Sequence, residues 1–160
     1  MTVNAEKTAV LATDDVTFVT GELRPYLADL PTALAAYLDG GKALRPRFCY
    51  WGHALAGPDS SPQLLQACAA LELLHAFALI HDDLMDESDT RRGRPALHRQ
   101  VAGQHRRHGW TGDPDSYGRA MALLVGDLAF AVASRLAAAL PPRVAAALHE
   151  LAMTAADRQR

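Results

Sequence analysis

Lysine, cysteine and isoleucine are scarce in this chain. Of sixteen basic residues only Lys7 and Lys42 are lysines, and Ile80 is the single isoleucine. Both biases match a GC-rich coding sequence and carry no functional reading. The near absence of β-branched alternation does carry one: it excludes a sheet-built domain, while abundant alanine and leucine favour helix. The two cysteines, Cys49 and Cys68, sit in apolar helical contexts with no metal-like spacing, and are expected to be reduced core residues. A net charge of −2 provides no bulk field toward nucleic acid or an anionic membrane. Residues 1–7 lack the basic start and apolar core of a signal peptide. No apolar run approaches the roughly eighteen residues of a membrane span, and Asp127 interrupts the longest candidate. The expectation is a cytoplasmic chain with no stable membrane insertion and no nucleic-acid partner. With 160 residues, 49% hydrophobic and 21% charged, it is sized for one globular domain with a real core.

What is present reads as all-α. Residues 1–12 form a loose leader. A first helix is expected from about Asp15 to Leu38, broken near Pro25 and Pro31 and ended by Gly40-Gly41. Pro46 suits the first turn of a second helix carrying Phe48, Trp51 and Leu55, which Gly57-Pro58 stops. A third runs from Pro62 to about Asp86, apolar nearly all round, as befits the centre of a bundle. Residues 87–116, rich in Arg, His and Gly, read as a functional loop with a short helix near Ala96–His105. Further helices follow from about Tyr117 to Leu140 and from Pro142 to Asp157.

The third helix ends in Asp82-Asp83-Leu84-Met85-Asp86-Glu87, four carboxylates within six positions. Asp82 and Asp86 are four apart, about 40° in helical direction, so both project from one face one turn apart. Asp83 adds a third charge. Like charges at this spacing repel, and negative charge at a helix C-terminus opposes the macrodipole. A solvated helix end is the bland reading. A cation that reverses the penalty is the preferred one, and Mg²⁺ suits it best, because it takes hard oxygen ligands and retains water and phosphate in its shell. His75 lies seven residues before Asp82, two turns back on the same face. It is either a donor to a second anion or a satisfied polar residue of the bundle. His81 points elsewhere and reads as structural.

Two basic clusters flank this helix. In Gly40-Gly41-Lys42-Ala43-Leu44-Arg45-Pro46, Lys42 and Arg45 stand three apart at a helix start, where both heads and the helix N-terminus converge on one anion. Arg91-Arg92-Gly93 follows the acids closely enough for the arginines to reach different phosphate groups.

These ordered motifs resemble the trans-isoprenyl diphosphate synthases, or polyprenyl synthetases, and Gly126-Asp127-Leu128 resembles a further recurrent feature of that family. The resemblance implies an isoprenoid-synthase-type helical bundle. It implies that Lys42, Arg45 and His75, joined by Arg92, hold the diphosphate of isopentenyl diphosphate. Asp82 and Asp86 would bind Mg²⁺ on the allylic diphosphate, with Asp83 supporting and Arg91 contacting that group. The implied reaction is head-to-tail prenyl transfer, in which charge stabilisation at the leaving group matters more than a side-chain nucleophile. No Ser-His-Asp or Cys-His arrangement stands out in the chain. Residues about one turn before the first aspartate help to set product length in this family. Ala78 lies about 6 Å deeper along the helix and Phe77 about 7.5 Å deeper. Bulky Phe77 with small Ala78 suggests a C20 product over C15, with Phe77 as ordinary core packing the standing alternative.

One departure limits the resemblance. The family carries a second aspartate-rich motif on a later helix, whereas after Asp127 this chain has only Glu150 and Asp157. The expectation is therefore a single partial domain over 1–160, about the first half of the fold, with little or no synthase activity alone. It would form a homodimer or pair with a full-length synthase. A non-catalytic subunit is the alternative. A class I terpene cyclase also uses an Asp-Asp-x-x-Asp cluster, but has no isopentenyl diphosphate for the two basic clusters to hold.

Overall fold

The computed structural model describes Leu34, Tyr37, Leu38, residues 43–56 and residues 62–157. The leader, most of the expected first helix, Gly40-Gly41 and Lys42 lie outside the described residues; Leu34, Tyr37 and Leu38 are helical. The described elements run α1 (Leu44–Ala56), α2 (Pro62–Met85), β1 (Thr90–Arg91), β2 (Arg94–Pro95), α3 (Leu97–His108), α4 (Pro114–Ala138) and α5 (Pro142–Asp157). Helices dominate, as the composition predicts.

The bundle is centred on α2 packed against α4. On α4 the inward positions Gly118, Ala122, Gly126, Ala129, Ala133 and Ala137 recur at helical spacing, and all are buried. On α2 another run of small residues, Ala67, Ala69, Ala70 and Ala76, is buried in the same cluster with Leu73 and Ile80. Small side chains let the helix axes approach closely. Leu73 and Ile80 supply about 1.5–3 kcal/mol each of apolar burial. The α1 helix covers one side of α2, α3 lies along α4, and α5 touches both α2 and α4.

Three expectations need revision. The α4 helix begins at Pro114, three residues earlier than Tyr117, because Asp113 caps it: its carboxylate accepts from the Ser116 amide at 2.9 Å and Pro114 occupies the first turn. The helix in the 87–116 segment spans Leu97–His108 and ends at Gly109 in the left-handed region (φ 62°). Finally, α2 and α4 are both long and apolar enough to cross a bilayer, so the expectation that no run approaches a span does not hold by length and composition. In the structure they are the inner pair of the bundle.

Apolar side chains also face outward. Phe48 is 78% exposed and Leu55 86%, both on α1; Leu124 on α4 and Met153 on α5 are exposed as well.

Candidate functional site: the acidic end of α2 and its arginines

The last turn of α2 closes through a left-handed residue that is not glycine. Glu87 has φ 51°, and the Ser88 amide donates back to the Asp83 carbonyl at 2.9 Å. This reversal directs the chain back along the helix end. A two-stranded hairpin follows, with Thr90 opposite Pro95 and Arg91 opposite Arg94. Its two-residue turn is Arg92-Gly93, both at positive φ (54° and 74°), as a type I′ turn requires. The Arg-Arg-Gly motif is thus a hairpin corner. Gly93 takes the left-handed position at no steric cost, while Arg92 takes one that disfavours a side chain by about 1 kcal/mol.

The hairpin returns Arg91 to the acids. Its Nε donates to Asp83 Oδ1 at 2.8 Å and its Nη2 to Asp82 Oδ2 at 2.9 Å. The carboxylates raise the Arg91 pKa further, Asp83 contributing most. Asp83 is 1% exposed, Asp82 34% and Arg91 27% at the side chain. The three aspartates therefore differ in kind. Asp83 is a buried anchor, Asp82 is shared between Arg91 and the surface, and Asp86 is exposed. Among the described residues, Asp83 Oδ2 and the Tyr37 hydroxyl are both buried without a hydrogen-bond partner. Burial, and then the negative charge of Asp83, push the Tyr37 phenol up to about 12. Asp89, just beyond the acidic run, is engaged elsewhere. Arg99 Nε donates to it at 2.6 Å, and Arg99 with Arg106 clamps Asp115 at the start of α4.

Two turns earlier on α2 lies a second charged group. His75 is held down to about 4, first by burial and then by the positive charges of Arg45, Arg92 and Arg91. The neighbouring Glu72 carboxyl is raised by burial, with Arg92 and Arg45 opposing the rise. The same two arginines, Arg45 from α1 and Arg92 from the hairpin corner, thus act on both residues. Glu72 was not singled out from sequence. Its signal was a carboxylate one turn before His75 in an otherwise apolar helix. Lys42 lies outside the described residues, so its relation to Arg45 is not seen.

His81 turns to α4. Its Nε2 stands 3.4 Å from Asp127 Oδ1, and its Nδ1 lies 3.0 Å from the Phe77 carbonyl. A Cβ on Gly126 would come within 2.4 Å of the imidazole, so the glycine of Gly126-Asp127-Leu128 makes room for His81. Phe77 is half-buried, its ring 5.0 Å from that of Phe130 on α4 and 4.7 Å from His81. Ala78 is also half-buried.

Among the described residues no group of three or more His, Cys, Asp or Glu side chains is arranged around one metal position. The donor set nonetheless fits Mg²⁺ in one way. Asp82 and Asp86 offer carboxylate oxygens one turn apart at an accessible helix end, and Mg²⁺ is commonly held by one or two carboxylates plus substrate phosphates.

The chain is similar to known proteins over much of its length. Over 94 residues the chain is 39% identical to a short chain isoprenyl diphosphate synthase of Methanocaldococcus jannaschii, covering 59% of this chain and 24% of the relative. Over 122 residues it is 37% identical to a chloroplastic geranylgeranyl pyrophosphate synthase of Capsicum annuum, covering 72% and 28%. The crystal structure of geranylgeranyl pyrophosphate synthase from Corynebacterium glutamicum, complexed with isoprenyl diphosphate and magnesium, superposes with a TM-score of 0.67 at 33% identity, covering 77% of this chain and 40% of that one. The match thus spans about a quarter of the curated relatives. The family model for polyprenyl synthetases matches residues 28–159, an all-α isoprenoid synthase fold running through α1 to α5, and the chain belongs to that family.

Proposed function

We propose that this chain supplies the diphosphate-binding part of an isoprenyl diphosphate synthase, which joins isopentenyl diphosphate to an allylic diphosphate. The observation that carries the proposal is the pairing of two charged centres on one helix. Asp82, Asp86 and Arg91 stand at the end of α2, and Arg45 and Arg92 act on His75 and Glu72 two turns back. His75 and Asp82 are seven residues apart, about 10 Å along the axis. That separation suits two diphosphates lying side by side.

In this reading Arg45, His75 and Arg92, with Lys42, hold the diphosphate of isopentenyl diphosphate. Asp82 and Asp86 hold Mg²⁺, which when bound neutralises oxygens of the allylic diphosphate. Asp83 is buried and bonded to Arg91, so it would act through that arginine. It fixes Arg91, whose guanidinium then serves the same leaving group. As the allylic C–O bond breaks, the C=C bond of isopentenyl diphosphate attacks the allylic cation, and the departing diphosphate takes the proton lost. Phe77, backed by Phe130, limits the growing chain to C15 or C20. Residues 1–160 taken alone would show little or no synthesis, because one acid cluster encloses a diphosphate from one side only.

The test is titration of inorganic pyrophosphate into the protein by calorimetry, with and without Mg²⁺. Binding should tighten with Mg²⁺, and Asp82→Asn/Asp86→Asn should abolish the difference. Pyrophosphate binding indifferent to Mg²⁺ in the unmodified protein would sink the assignment. Product analysis with isopentenyl diphosphate and allylic primers gives the turnover, and robust steady-state synthesis would refute the expectation of little or none. The exposed Phe48 and Leu55 on α1 favour a second reading, a subunit that pairs with a full-length synthase. Co-purification with such an enzyme and a change in its product length distinguish that case.

A further inference from the structure

The two cysteines were expected to be reduced core residues, and α1 and α2 bring them to one helix interface. Cys68 on α2 is fully buried, and its Sγ points at α1, donating to the Pro46 carbonyl at 3.4 Å. Cys49 lies three residues after Pro46, one turn along α1 on the side that meets α2. Cys49 packs against the same buried cluster that contains Cys68. Cys49 is half-buried, so small solutes reach it first.

We propose that Cys49 and Cys68 are an oxidisable pair that closes, under peroxide, to an intrachain disulfide tying α1 to α2. The Cys49 thiolate attacks a peroxide oxygen. The O–O bond breaks, hydroxide leaves, and Cys49 becomes a sulfenic acid. Cys68 sulfur then attacks the Cys49 sulfur, its proton leaves with the sulfenic oxygen as water, and the S–S bond forms. Two thiols and one hydrogen peroxide thus give one disulfide and two waters. The sulfurs close to about 2.05 Å.

The electrostatics assign the order of attack. When Cys49 ionises, the Cys68 S–H can turn to it from the Pro46 carbonyl, and this lowers Cys49 to about 7, which favours its thiolate near neutral pH. The same interaction, with burial, raises Cys68 and suits it to the resolving role. The position also has a consequence, which rests on the proposed function. Arg45 is one turn before Cys49, and Glu72 and His75 are one and two turns after Cys68. A disulfide here fixes the helix bearing Arg45 against the helix bearing His75.

The experiment is mass spectrometry after hydrogen peroxide treatment and alkylation of the whole chain. No arginine or lysine lies between Phe48 and Arg91, so one tryptic peptide carries both cysteines. It should appear two hydrogens lighter and unalkylated, with the protein monomeric on a non-reducing gel and both thiols restored by dithiothreitol. In Cys49→Ser, Cys68 should keep its thiol. In Cys68→Ala, Cys49 should proceed to sulfinic acid. Should Cys68→Ala fail to fold, the unmodified protein and Cys49→Ser still decide the matter. Two thiols surviving peroxide, disulfides only between chains, or sulfinic Cys49 beside a free Cys68 in the unmodified protein would each overturn the proposal. Pyrophosphate affinity should differ at least several-fold between the oxidised and reduced forms. Equal affinities would refute the coupling to the anion site, while the thiol count decides the disulfide independently.

Discussion

Removing Arg91 should damage this protein more than removing Arg91 and the charge of Asp83 together. Arg91 Nε lies 2.8 Å from Asp83 Oδ1. Opposite unit charges at that distance attract by about 6 kcal/mol at an effective dielectric of about 20, and desolvation offsets much of this. Taking away one partner of a buried pair typically costs about 3–5 kcal/mol, because the other charge is stranded. Which partner is stranded decides the outcome here. Asp83 is 1% exposed, whereas Arg91 is 27% exposed and has Asp82 as a second partner. Arg91→Met strands Asp83 in a dry site beside Asp82. Asp83→Asn leaves Arg91 with water and Asp82.

The expected losses in unfolding free energy are about 2–4 kcal/mol for Arg91→Met and about 1–2 kcal/mol for Asp83→Asn. The double variant should lie at least about 1 kcal/mol above Arg91→Met alone, since replacing both partners removes the stranded charge. Urea unfolding followed by circular dichroism measures all four proteins at one pH. Losses that simply add in the double variant would show that Asp83 and Arg91 do not depend on each other, and the reading of Asp83 as an anchor would fail.

Other expectations follow from single contacts. His75 is held at about 4 in the fold against an ordinary value near 6.5. The unfolded chain therefore takes up a proton before the folded one does, and stability falls as pH drops from about 6.5 to about 4. Allowing for partial solvent exposure this amounts to about 1–2 kcal/mol, and urea midpoints at pH 7.5 and 5 should converge in His75→Gln relative to the unmodified protein. Gly118→Ala places a Cβ 2.3 Å from the backbone carbonyl of His98, while Gly126→Ala meets the side chain of His81 at 2.4 Å. Both should destabilise by about 1–3 kcal/mol, the first by more because backbone yields less than a ring, as melting temperatures would show. Asp113→Ala removes the cap of α4 and should cost about 1 kcal/mol by the same measurement.

Much of this arrangement was legible in the chain, for reasons that differ by element. The α2 helix announces itself through its apolar length, and its acidic end through spacing alone. The cap of α4 is equally present in the sequence, as Asp113-Pro114 ahead of the apolar periodicity. The hairpin was missed because its strands are two residues each, too short for alternation to register, although a glycine after two arginines does mark a turn. The placing of Cys49 and Cys68 at one helix interface was not legible. It depends on how α1 is rotated against α2, which neither helix pattern fixes by itself.

The same limit explains why the acids looked alike in sequence and differ in the fold. Helical spacing places Asp82 and Asp86 on one face and sets Asp83 about 100° away from Asp82. In isolation that displacement makes Asp83 only the odd member of the cluster. The fold makes it the member that turns inward, where an unpaired carboxylate is untenable. The positive charge that the acidic run demands is met there by Arg91, delivered through the left-handed Glu87 and the Arg92-Gly93 corner. A metal is therefore not needed to make Asp83 stable. The need falls on Asp82 and Asp86, whose repulsion at a helix C-terminus is relieved only in part by Arg91 at Asp82. Under the proposed function, a cation site that opens and closes with each diphosphate is better built on these accessible carboxylates than on the buried one. The buried one instead sets where the arginine waits.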